Sequence, residues 1–163
     1  MAVWIFSKQA MLLFLFGLFF VLYNFLLVLN NAVCMLEANA ILYKISDAYS
    51  QVTLINVKKI VLTLPETLEK TISEKTKKYE TPYKIYIFNE NGRTYFICEI
   101  QKGKEKYNIS GVSFNTQSIL YDCKGKKVFS DKCKRKNKLV FDPKKSPFLT
   151  IEKNDKGEVV IYV

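Results

Sequence analysis

The chain reads as an α+β protein: a long N-terminal helix passing from transmembrane to amphipathic, then a small antiparallel β domain. That domain is expected to be a sandwich or a sheet packed on the helix. Three observations predict this. No charged residue stands between Lys8 and Glu37. From Ala38 to Ile55 apolar residues recur at helical spacing. Beyond Val57 the period falls to two, and runs rich in β-branched and aromatic residues are separated by turn sequences. The expected divisions are an anchor over 1–36, an amphipathic helix continuing it over 37–56, and a β-rich domain over 57–163.

The anchor comes first. Ala10 to Leu29 is nearly solid hydrocarbon, and as a helix it spans roughly 30 Å, the thickness of a bilayer core. Tyr23 and Asn24 interrupt it, and are expected to face a neighbouring helix. A cleavable signal would need a shorter apolar run, although Lys8 and Ala38-Asn39-Ala40 supply its ends. An uncleaved signal-anchor is the simpler reading, with the N-terminus cytoplasmic and the C-terminal domain extracytoplasmic.

The helical phase then continues. Ala38, Ile41, Leu42, Ile45, Ala48, Tyr49, Val52 and Ile55 share one side, while Glu37, Lys44, Asp47, Ser50 and Gln51 fall largely on the other. A single helix from about residue 9 to about residue 55 is therefore expected.

Val57 to Leu64 reads as a strand. Thr63-Leu-Pro-Glu66 offers a helix start, so a short exposed helix is expected over 64–78, with Leu68, Ile72 and Tyr79 on one side. From Pro82 the pattern is β. Tyr83–Phe88 and Arg93–Gln101 flank Asn89-Glu-Asn-Gly92, whose Asn-Gly is a strong hairpin signal. Alternation sets Tyr83, Ile85 and Ile87 against Tyr86 and Phe88. Shorter strands follow at 106–112, 118–123, 126–130 and 138–142, and a last hairpin joins 148–153 to 158–163 around Asn154-Asp-Lys-Gly157.

Composition narrows function. The net charge is +10, with Lys8 the sole charged residue ahead of Glu37, so the β domain is basic and favours acidic partners. Histidine is absent, which removes the commonest general base and metal ligand together. No Gly-x-Ser-x-Gly, phosphate-cradling loop, Cys-x-x-Cys pair or isolated carboxylate pair is present. The chain is therefore read as no enzyme, with no catalytic residue, no cofactor and no metal.

Among the four cysteines, Cys123 and Cys133 flank a short basic loop. In an extracytoplasmic domain they could close a disulfide contributing about 2–3 kcal/mol; otherwise they are two thiols. Around them lies the one local feature with a partner in view: Lys124, Lys126, Lys127, Lys132, Lys134, Arg135, Lys136 and Lys138, flanked or interrupted by Tyr121, Phe129 and Phe141. Charge with stacking could contact an acidic glycan, or lipid headgroups near the membrane. The plainer reading is a solvated hairpin tip. The excess of lysine over arginine, without a base-reading set, argues against nucleic acid. Asn108-Ile-Ser110 is an N-glycosylation acceptor sequence, expected on a surface loop.

The layout resembles the archaeal type IV pilin-like proteins with class III signal peptides. The residues carrying the resemblance are Ser7-Lys8-Gln9-Ala10 where a leader would end, the hydrophobic run after it, and Ser46-Asp47-Ala48-Tyr49 in the amphipathic stretch. Val57–Pro65, a strand ending in Leu-Pro, and Tyr83–Phe88 complete it, so the match covers about residues 7–100. It is a degenerate match: no glycine precedes Gln9, and no glutamate stands at the fifth or sixth position of the hydrophobic run. The resemblance implies a structural or assembly role at the cell surface and processing at Gln9 or Ala10. It also implies association with other copies or pilin-like subunits through the N-terminal helix.

Overall fold

A computed structural model describes residues 2–55, 57–70, 79–102, 105–123 and 133–163. It is α+β. Among these residues one helix, α1 (Ala2–Leu54), is followed by eleven strands: β1 (Lys59–Thr63), β2 (Leu68–Lys70), β3 (Tyr79–Thr81), β4 (Tyr83–Glu90), β5 (Arg93–Lys102), β6 (Glu105–Phe114), β7 (Ile119–Asp122), β8 (Lys134–Lys136), β9 (Lys138–Phe141), β10 (Phe148–Lys153) and β11 (Val159–Tyr162). The chain divides into two compact units, Met1–Cys34 and Met35–Val163.

Helix α1 forms because nothing breaks it. No proline precedes Pro65, and its one glycine, Gly17, has open space around it. No acidic residue occupies the first turn and no basic residue the last, so macrodipole complementation contributes nothing at its ends. In the first unit the large apolar side chains from Met11 to Leu29 are all exposed. A helix apolar on every side that no protein covers is suited to lipid, and α1 is long and apolar enough to cross a membrane near the N-terminus. The Asn24 amide donates one hydrogen bond within the helix, to the Phe20 carbonyl at 2.8 Å.

In the second unit the rest of α1 is core. Ala38, Ile41, Leu42, Ile45, Ala48, Tyr49 and Val52 are buried, the i, i+3/i+4 stripe expected. Ile55 departs from it. The helix ends at Leu54, and Ile55, donating to the Gln51 carbonyl as the chain turns away, is 71% exposed.

Four strands form one sheet in the order β6-β5-β4-β9, antiparallel throughout. The β4–β5 hairpin turns on Asn91 and Gly92, with φ of 51° and 75°, the left-handed pair that a two-residue turn of this hand requires. Alternation is clean: Tyr83, Ile85 and Ile87 are buried, facing Phe96, Cys98 and Ile100 across the ladder and Leu139 and Phe141 on β9. Tyr86, Phe88 and Tyr95 lie half-exposed on the other face. The sheet packs on the helix. The Tyr49 ring stacks on Phe114 at 3.9 Å and meets Phe96 edge-on at 6.2 Å.

Five strands form the second sheet, β1-β10-β11-β7-β8. Ile60, Ile151, Ile161 and Leu120 make one continuous row across its inner face. One pair departs from the antiparallel expectation. β11 and β7 run parallel, because β8, β9 and β10 intervene in the chain and carry it round to re-enter beside β7.

The expected helix over 64–78 is overturned where it is described. Leu68–Lys70 is strand, paired with Tyr79–Thr81 in a two-stranded ribbon, and residues 71–78 lie outside the described residues. Leu68 is buried; a nonlocal strand partner and burial outweigh a capping signal worth about 1 kcal/mol. The strand expected at 126–130 also lies outside the described residues.

Candidate interaction surfaces

A satisfied polar cluster fixes the helix to the loop after β6. Tyr49 Oη lies 2.8 Å from Ser118 Oγ and donates to the Thr116 carbonyl at 3.2 Å. Thr94 Oγ1 accepts from the Ser118 amide at 2.9 Å, and its one hydrogen reaches the Thr116 carbonyl, Asn89 Oδ1 or Ser118 Oγ at 2.8–3.0 Å. Asn89 Nδ2 donates to the Ser118 carbonyl at 2.7 Å. Burial raises the Tyr49 phenol pKa against the pull of these bonds. Among the described residues no buried side-chain polar atom lacks a partner, so the cluster is a latch with no unmet valence for a ligand. Sequence reading missed it, since Asn, Thr and Ser at 89, 94, 116 and 118 carry no short-range signal of convergence.

The basic run is divided by its own geometry. Lys124, Lys126, Lys127 and Lys132 lie outside the described residues, as does Phe129. Lys134, Arg135 and Lys136 form β8, opposite Asp122, Tyr121 and Leu120 of β7. Strand alternation sends Arg135 to the Tyr121 face and Lys134 and Lys136 to the other, where Lys136 pairs with Asp122. Lys138 begins β9, in the other sheet; its ammonium caps the rings of Tyr86 and Phe88 at 5.0 and 6.0 Å. The described members are thus dispersed over three faces. Phe141 is fully buried and offers nothing to stack upon, whereas Tyr121 is half-buried and stacks on Tyr162 at 5.5 Å. Tyr162 lay outside the sequence expectation, because only the β7–β11 pairing brings it beside Tyr121.

Cys123 and Cys133 are joined by a disulfide, Cα atoms 4.3 Å apart, tying the end of β7 to the start of β8. Cys98 is buried, and burial pushes its thiol up to about 12, with Glu99 adding to the shift, so it is inert at neutral pH. Gln9 and Ala10 lie exposed within α1. Asn108 falls within β6, in register with Glu99, and not in the loop expected for it. A shallow pocket of about 210 Å³ lies between the helix and β6, lined by Asn39, Leu42, Tyr43, Gly111 and Val112.

Compared with protein-family models, curated proteins and solved structures, the chain matches none.

Proposed function

We propose that this protein is a membrane-anchored, pilin-like surface component with a structural or assembly role and no catalysis of its own. One observation carries the reading: a single 53-residue helix whose first part is apolar and uncovered and whose second part is the core stripe of a β domain. A helix serving only as a tether has no need to be both. The uncovered part would associate with equivalent helices of other copies or of pilin-like subunits, through packing of the apolar surface from Leu12 to Leu29.

The proposed orientation puts the N-terminus in the cytoplasm and the β domain outside. Lys8 at the membrane flank favours this, and the Cys123–Cys133 bond suits an oxidising compartment.

The test is photo-cross-linking from Leu18 and Phe25 in native membranes, with native mass spectrometry of the full chain in mild detergent. Adducts between copies or with a second small anchored protein are expected. Monomers alone, with cross-links only to lipid, would refute the assembly role.

A further inference from the structure

The outer face of the five-stranded sheet carries a row of directly paired positions: Val61, Thr150, Tyr162, Tyr121 and Arg135. The two tyrosine rings are parallel within 15°, their centroids 5.5 Å apart. That separation is close to the spacing of adjacent strands, so the stack runs across the sheet. The next position along it, beyond Tyr121, is Arg135.

Arg135 is exposed and forms no ion pair among the described residues. Among the described residues the acid on this face is Glu152, 3.6 Å from Lys59, and none compensates the guanidinium. The arginine is also held in place. A three-residue strand at a sheet edge has little to fix it, yet the disulfide ties β8 to β7 two residues away, on the same face. An aromatic stack, an unpaired guanidinium and a covalent tie between them make a built site.

We propose that this face binds a saccharide bearing a carboxylate, such as a uronic acid unit of a surface polysaccharide. The C–H face of the sugar ring lies against the tyrosine pair, and its carboxylate takes a bidentate bond from Arg135. Charge placement favours this ligand over a nucleic acid. A single strand needs cations tracking successive phosphates, whereas Lys134 and Lys136 stand on the opposite face and Lys136 is already paired with Asp122. Among the described residues one guanidinium stands beside the ring stack, which suits one carboxylate on a ring.

The experiment is titration of the full chain in detergent with trigalacturonate, the neutral trisaccharide of the same linkage, and a short single-stranded oligonucleotide. Trigalacturonate should bind and the neutral sugar should not. Arg135→Ala, a surface change that leaves the fold intact, should weaken binding about tenfold or more, and Arg135→Lys should restore only part of it. Tyr162→Ala should also weaken binding, whereas Lys134→Glu with Lys136→Glu should change it by no more than about twofold. Failure to bind trigalacturonate, tighter binding of the oligonucleotide, or equal loss from Arg135→Ala and the lysine reversals would each overturn the proposal. None of these outcomes depends on helix assembly.

Discussion

Tyr49 and Thr94 occupy one cluster, yet their hydroxyls should differ sharply in worth. Removing the Tyr49 hydroxyl by Tyr49→Phe leaves Ser118 Oγ its contact with Thr94 at 3.0 Å, and leaves the Thr116 carbonyl accepting from Thr94 at 2.8 Å. No buried group is orphaned, and the ring keeps its stack on Phe114. The expected cost is about 1 kcal/mol, that of one net hydrogen bond. Thr94→Val is different. Ser118, 3% exposed, loses the sole acceptor of its amide, in a site where Thr94 itself is fully buried. An orphaned buried N–H alone costs about 1–3 kcal/mol, so a total near 2–4 kcal/mol is expected. In the double variant the Ser118 hydroxyl loses both partners at once, so the two costs should exceed additivity. Urea unfolding of the full chain in mild detergent, followed by near-ultraviolet circular dichroism, measures all three. A Tyr49→Phe cost equal to that of Thr94→Val, or strict additivity, would refute the assignment of Thr94 as the hub.

Two further outcomes are expected. Gly111 sits where β6 carries one residue more than β5, and a Cβ there would meet the Phe96 carbonyl oxygen at 2.7 Å. Gly111→Ala should therefore destabilise by about 1–3 kcal/mol in the same unfolding measurement, and a neutral result would count against this bulge geometry. Stability should also fall at alkaline pH. The Cys98 thiol is raised from 9.0 to about 12 and the buried Tyr83 phenol is raised as well. The unfolded chain thus loses these protons first, and their contribution is complete below pH 9 and lost as pH rises toward 12. Thermal melting between pH 8 and 11 should show the decline, and Cys98→Ala should make it shallower.

How much of this was legible in the sequence depended on the range of the forces involved. The helix was legible, its C-terminal end to within a residue and its start seven residues late at 9 against Ala2, because its 3.6-residue stripe and the long charge-free run are local patterns. So was the β4–β5 hairpin, since Asn91-Gly92 encodes its own turn. The ribbon β2–β3 was not: Thr63-Leu-Pro-Glu66 is a genuine capping signal, and only the distant strand Tyr79–Thr81 overrules it. The proposed interaction surface was half visible. Arg135 stood out as one charge in a run, but its separation from Lys134 and Lys136 is a consequence of pleating. Its alignment with Tyr162 comes from a parallel pairing that no local motif announces.

The outer strands of the two larger sheets share one property. β1 carries Lys59, β8 carries Lys134 and Lys136, β9 carries Lys138, and β6 carries Lys106 together with the bulge at Gly111. Lysines and bulges on free edges oppose the addition of a foreign strand. Such edges protect the sheets against zipping into amyloid-like ribbons. Among the described residues each edge of the two larger sheets is guarded in this way, which leaves their faces as the surfaces open to contact.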